Sequence, residues 1–353
     1  MLVGFHDDRT FLYLDTRAAS LDQATGLGAN VLRTYVAWNQ VAPTRPENPG
    51  DPNDPTYDWR FHDSLVQTAR ARGVQVLMTI WATPEWANDG AGDSAAPSDL
   101  QDLVDFSFAL ATRYSGGLDG IPAVRLFSVW NEPNLNRFLT PQFDANGRSV
   151  APATYAGMYR AAYLGLKSGN PEARVAILEV SPRGRDRPGE NPARDSHSPG
   201  RFAELVAEAC AGACEFDAVA WHPYTPSLGG TPSSKVRWPN ANLPELDRFA
   251  RSLVSWFELD ELPRLWITEY GHQTNPPREG GATPEQQADY LEEALRVSDA
   301  SGLIDMFIWF IYQDDPTSEP VHWEAAGGLI DREAQPKPSY ERLRATLASL
   351  RAP

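Results

Sequence analysis

Cysteine is almost absent from this 353-residue sequence, which has only Cys210 and Cys214. A scaffold stapled by many disulfides is thereby excluded, and the fold has to rest on a hydrophobic core. The pair is spaced C-x3-C, and one helical turn brings two Cα atoms to roughly 6 Å, so a local disulfide and two free, buried thiols are both open readings. A metal site there is a poor third, since no histidine stands at ligand spacing nearby. Lysine is nearly as rare. Of the 31 basic residues only Lys167, Lys235 and Lys337 are lysines, a bias of overall composition rather than the mark of a guanidinium-based site. Positive charge is outnumbered by 47 acidic residues, for a formal net charge of -16, so a polyanion would meet a repulsive average field and no nucleic-acid partner is expected. No run of 18 apolar residues occurs, hence no membrane span is expected. The first strand-like segment, Val3-Gly4-Phe5-His6, lacks a preceding charged and apolar leader. That leaves a cytoplasmic protein or an exported one whose leader has been removed, and the second is preferred.

Two motifs are also missing. No G-x-G-x-x-G follows the first strand, which removes support for a dinucleotide fold, and no His-x-His follows it, which argues against a metal-dependent barrel hydrolase. What is present is an alternation of short apolar runs with amphipathic stretches, the pattern of βαβ units. Eight runs predict strands: Val3 to His6, Val31 to Trp38, Val74 to Trp81, Val124 to Trp130, Val175 to Val180, Phe216 to His222, Leu265 to Tyr270 and Met306 to Tyr312. Helices are expected between them, for example from Asp99 with Ser98 as cap, and from Pro284 after Thr283. Eight strand–helix units predict one closed (β/α)8 barrel, an α/β TIM-barrel domain over residues 1–353. The long loops, rich in Pro, Gly, Asp and Asn, fall after strands, where such a barrel builds its substrate cleft.

The chemistry is concentrated at two strand ends. Phe127-Ser-Val-Trp-Asn-Glu-Pro-Asn134 places Glu132 where an apolar strand stops at Pro133, and Leu265-Trp-Ile-Thr-Glu-Tyr-Gly271 does the same for Glu269. A carboxylate in apolar surroundings is costly unless it is paired or functional. Salt bridges to arginines are the bland reading for each. Two strand-end glutamates facing one cleft meet the requirement of glycosidic-bond cleavage for two carboxyl groups in different protonation states.

These segments resemble those of the clan A glycoside hydrolases, retaining (β/α)8 enzymes. Trp130-Asn-Glu-Pro-Asn-Leu135 and His222-Pro-Tyr224 are most similar to glycoside hydrolase family 39 and its relatives near family 5. The resemblance implies that Glu132 is the acid/base and Glu269 the nucleophile, about 5 to 5.5 Å apart, on a carbohydrate substrate and without a metal or organic cofactor. It further implies that Arg33 supports the nucleophile, that Asn131 meets the sugar 2-hydroxyl, that His222 and Tyr224 line the cleft, and that Trp309 forms the floor under the reacting sugar. Trp81, Trp86, Trp38, Trp238 and Trp323 lie in or beside long loops and are candidates for sugar platforms, with Trp81 foremost. His6 and Asp7 are further polar groups near the cleft, and Glu179 is the internal rival to the carboxylate pair. The alternative from another class is a carbohydrate-binding barrel that has lost catalysis.

Overall fold

The computed structural model describes residues 1–352. Eight parallel strands close in chain order, each pairing with the next and β8 returning to β1. They are β1 (Leu2–His6), β2 (Val31–Ala37), β3 (Gln75–Trp81), β4 (Leu126–Val129), β5 (Arg174–Val180), β6 (Ala218–Trp221), β7 (Leu265–Tyr270) and β8 (Ile304–Phe310). The helices that follow them are α1 (Arg17–Gly26), α2 (Arg60–Arg70), α3 (Leu100–Arg113), α4 (Ala151–Gly169), α5 (Pro199–Cys210), α6 (Leu246–Phe257), α7 (Pro284–Ala300) and α8 (Pro338–Leu350). Among the described residues no helix is long and apolar enough to cross a membrane.

Local chemistry sets these limits. At α7 the Thr283 hydroxyl accepts from the Gln286 amide while Gln286 caps Thr283 in return, and Pro284 occupies the first turn. At α3 the cap is Asp99, whose carboxylate accepts from the Gln101 amide at 2.9 Å, and not Ser98 as expected. Trp38 leaves the strand for a short helical turn, Trp38–Val41. Cys210 ends α5 and is disulfide-bonded to Cys214, with Cα atoms 5.3 Å apart, so the free-thiol reading falls.

Two apolar layers hold the barrel. Inside it, the small side chains of Ala176, Ala218 and Ala220 make room for Trp266, Met306 and Ile308. Outside it, the opposite strand faces pack against the helices in a larger cluster. Gly4 lets β1 lie close against β2, since a Cβ there would lie 1.6 Å from the Val31 carbonyl oxygen.

Strict alternation fails at two places. On β5, Ala176 faces inward and Ile177 outward, so Leu178 should face in and Glu179 out. Instead the register with β6 jumps from Leu178 to Val180, and Leu178 and Glu179 adopt φ of 85° and 50°. Leu178 joins the outer layer and Glu179 turns into the barrel. On β7 the register with β8 shifts between Ile267 and Tyr270, and the consecutive Thr268 and Glu269 both point inward. Bulges of this kind re-aim side chains beside functional sites.

Candidate active site

A cleft of about 700 Å³ opens at the C-terminal ends of the strands, lined by residues that include Tyr35, Asn131, Glu132, Tyr224, Glu269, Phe310 and Trp323. Glu132 follows β4 on a tight turn in which Trp130 and Glu132 have φ of 72° and 39°, and its amide donates to the Glu179 carbonyl at 2.9 Å. Non-glycine residues held in this region cost about 1 to 3 kcal/mol each and persist only where the surroundings impose them.

Glu269 is held by three donors. Its Oε1 accepts from Arg33 Nη1 at 2.5 Å and from the Tyr35 hydroxyl at 3.2 Å, and its Oε2 accepts from the Tyr224 hydroxyl at 3.0 Å. Burial works against its charge, but the nearby charges of His222 and Arg33 outweigh it and hold the carboxyl well below the usual range. Glu269 is therefore ionised at neutral pH. Burial and the same negative charge push Tyr35 and Tyr224 well above the ordinary phenol value, so both remain donors.

Arg33 also spans the barrel interior, donating to Thr79 Oγ1 at 3.0 Å, to Asn131 Oδ1 at 3.1 Å and to Glu179 Oε2 at 3.3 Å. Because a guanidinium only donates, Asn131 must turn its oxygen to Arg33 and its amide hydrogens elsewhere. His222 is fully buried. Its Nδ1 lies 3.1 Å from Glu132 Oε1 and 3.6 Å from Glu269 Oε2, while Nε2 lies 2.8 Å from Glu179 Oε2. Burial opposes its charge, yet Glu269, Glu132 and Glu179 raise it to about 9, so the ring is an imidazolium at pH 7.

The three acidic side chains differ in access. Their exposures are 13% for Glu132, 9% for Glu269 and 0% for Glu179, so the first two face the cleft and the third is sealed behind them. One carboxylate oxygen of Glu132, one of Glu269 and a nitrogen of His222 lie within 4.8 Å of one another, a donor set that could suit a cation. However, Arg33 already sits on Glu269, and both nitrogens of His222 face carboxylates. An internally neutralised cluster fits these residues better than a dication shell.

Glu132, Glu269, Arg33, Asn131, His222 and Tyr224 thus meet in one place, and His6 joins them, with Nδ1 3.0 Å from Arg33 Nη1. Trp309 does not. It packs in the outer layer near Tyr270 and His272, with its indole donating to the Gly327 carbonyl at 2.9 Å. Met306 and Ile308 face the barrel interior, so parity sends Trp309 toward the helices and Phe310 into the cleft. Trp81 stands one layer back, behind Tyr35 and Phe138, which do line the cleft. Of the other loop tryptophans only Trp323 lines it; Trp38 stacks on Phe106, Trp86 packs edge-on against Trp38, and Trp238 stacks on Trp256. Asp7 binds the Thr10 amide and hydroxyl and the Gln313 amide, as a loop clamp. Tyr35 was missed in the sequence. Its signal was its position two residues after Arg33, on the same face of β2.

Comparison with known proteins bears on the family and the fold. Residues 129–338 match the family model described as the glycosyl hydrolase catalytic core. Solved structures share the fold at low identity. A family 39 glycoside hydrolase of the gut symbiont Bacteroides cellulosilyticus is 19% identical with a TM-score of 0.67, over 98% of this chain and 62% of that one. A family 39 β-xylosidase of Caulobacter crescentus is 19% identical with a TM-score of 0.65, over 98% and 70%. Xylanase 10B of Thermotoga maritima is 16% identical with a TM-score of 0.63, over 98% and 94%. The chain therefore spans less than two thirds of the first of these structures. No curated protein sequence matches it significantly. With a family match that covers more than half its length and a closed eight-stranded barrel, the chain belongs to the glycosyl hydrolase catalytic core family.

Proposed function

We propose that the protein is a retaining glycoside hydrolase in which Glu269 is the nucleophile and Glu132 the acid/base. The observation that carries this reading is the spacing of the two groups: a carboxylate oxygen of Glu132 lies within 4.8 Å of one of Glu269. Retaining enzymes hold their carboxyl groups about 5 to 5.5 Å apart, whereas inverting enzymes need about 6.5 to 9.5 Å to admit a water.

In the first step Glu269, ionised and held by Arg33, Tyr35 and Tyr224, attacks the anomeric carbon as Glu132 gives its proton to the leaving oxygen. In the second, Glu132 takes a proton from water, which displaces Glu269 with a second inversion. Asn131, its oxygen tied to Arg33, offers N–H donors to the sugar 2-hydroxyl, and Phe310 and Trp323 supply apolar faces for the ring. A carbohydrate-binding barrel without catalysis would have no use for a nucleophile held by three donors.

Aryl glycosides test the assignment, with xylosides and glucosides first in a wider panel. Glu269→Ala should lose roughly 10⁴-fold or more in kcat on every substrate. Glu132→Ala should keep much of its first step on dinitrophenyl glycosides, stall at the second, and be accelerated by azide to give a glycosyl azide of retained configuration. Equal loss in both variants on activated substrates, without azide rescue, would overturn the roles.

A further inference from the structure

Glu179 has no part in the two chemical steps, yet the backbone is distorted to bring it into the barrel. Leu178 and Glu179 both adopt positive φ, and the bulge they form reverses the facing that alternation along β5 would impose. What the distortion achieves is a carboxylate with no exposure whose Oε2 meets Arg33 Nη2 at 3.3 Å, His222 Nε2 at 2.8 Å and the Thr268 hydroxyl at 2.7 Å. Thr268, which supplies the last of these, faces inward on β7 two residues after Trp266. Through His222, Glu179 is one imidazole ring away from Glu132.

We propose that Glu179 is a positioning residue for the acid/base: its carboxylate fixes the His222 ring between Glu132 and Glu269 and supplies the negative charge that balances the buried cations. This rests on the reading of Glu132 and Glu269 as the catalytic pair. The groups facing His222 are Glu132 after β4, Glu179 on β5, Glu269 on β7 and the Tyr224 ring on its own loop, with Arg33 of β2 across Glu179. Arg33 and His222 carry two positive charges, and Glu179 and Glu269 carry two negative charges. These four sum to zero. Glu132 lies across the His222 ring from Glu179, so a change of charge at Glu179 reaches the acid/base through that ring. Removing the charge of Glu179 leaves a surplus positive charge, which every proton in the cluster then feels. A plain structural salt bridge would hold the fold together without setting this balance.

Glu179→Gln keeps the size and removes the charge. The basic limb of the kcat/KM profile, where the essential proton is lost, should move to lower pH by about one unit or more. Nitrogen-15 imidazole spectra of the free protein should show the His222 midpoint falling in the same variant, the signal being assigned by its loss in His222→Gln. Glu179→Asp, which restores the charge but not the reach, should return both midpoints toward the wild type while kcat stays low. Lower activity at every pH in Glu179→Gln, with the limb and the His222 midpoint unmoved, would overturn the proposal. If Glu179→Gln does not fold, the wild-type midpoint decides: a ring still charged above pH 8 supports it and a ring neutral at pH 7 overturns it. Should the wild type hydrolyse no glycoside, the catalytic reading fails by itself, and the His222 spectra still judge the Glu179 link.

Discussion

Three glutamates within one cluster have three different situations, and their environments separate them. Glu269 is pinned by three donors, Glu132 has a single partner in His222, and Glu179 is sealed from the cleft. Each donor to Glu269 stabilises its ionised form, so removing one should raise its pKa and weaken it in the nucleophile's role proposed for it. Tyr224→Phe deletes the 3.0 Å bond to Oε2 while keeping the ring that packs on Trp323. A hydrogen bond to a charged group is worth about 1.5 to 3 kcal/mol, so kcat/KM should fall by about 10- to 100-fold. Because the lost donor favoured the charged form, the acid limb of the pH profile should move to higher pH. A Tyr224→Phe enzyme with an unshifted acid limb would show that the phenol does not act on Glu269. The motifs Trp-Asn-Glu-Pro and Thr-Glu-Tyr-Gly made Glu132 and Glu269 readable directly from the chain. Tyr35 was less visible because it lies in no such motif and shows itself only through its shared face with Arg33.

At the scale of the element, strand ends lie within two residues of where the apolar runs place them, since those runs are what both layers of the core bury. Facing is harder to read. The period of two that orients a strand holds for β8 and explains why Trp309 belongs to the outer layer and Phe310 to the cleft. It breaks on β5 and β7, where bulges turn Glu179 and Glu269 inward, and a bulge depends on the register of neighbouring strands rather than on local sequence. The disulfide is likewise a property of α5 as folded, which brings Cys210 and Cys214 together at its end. That end leads into the start of β6, at the opposite face of the barrel from the cleft. Closing so short a loop restricts the unfolded chain by only about 2 kcal/mol. Cys210→Ser with Cys214→Ser should therefore lower Tm by about 2 to 4 °C and leave kcat/KM unchanged. A large loss of activity in this double variant would mean that α5 and the cleft are coupled.

Across the whole molecule, three of the buried histidines contribute to how stability depends on pH. His197 and His272 are pushed down to about 4 and about 3 by burial, and His222 is raised to about 9 by its three carboxylates although burial opposes it. In the unfolded chain all three titrate near 6.5. Between about 6.5 and 4 the unfolded chain binds protons that folded His197 and His272 refuse, so stability falls as pH falls. Glu269 and Glu179 extend this loss below their ordinary range, because both are held ionised in the fold. Above about 6.5 the sign reverses: folded His222 keeps a proton that the unfolded chain has released, so its contribution is full below 6.5 and is lost as pH rises through 9. Tm measured across pH 4 to 10 should thus peak near 6.5 to 7 and decline on both sides, steeply toward acid, where at least two groups act, and more gently toward alkali. Glu179→Gln, by lowering the His222 midpoint, should flatten the alkaline decline and leave most of the acid one in place. An alkaline slope identical in wild type and Glu179→Gln would show that His222 does not carry it. The alkaline stability and the basic limb of catalysis would then have separate origins, whereas a common shift in both ties them to the same ring.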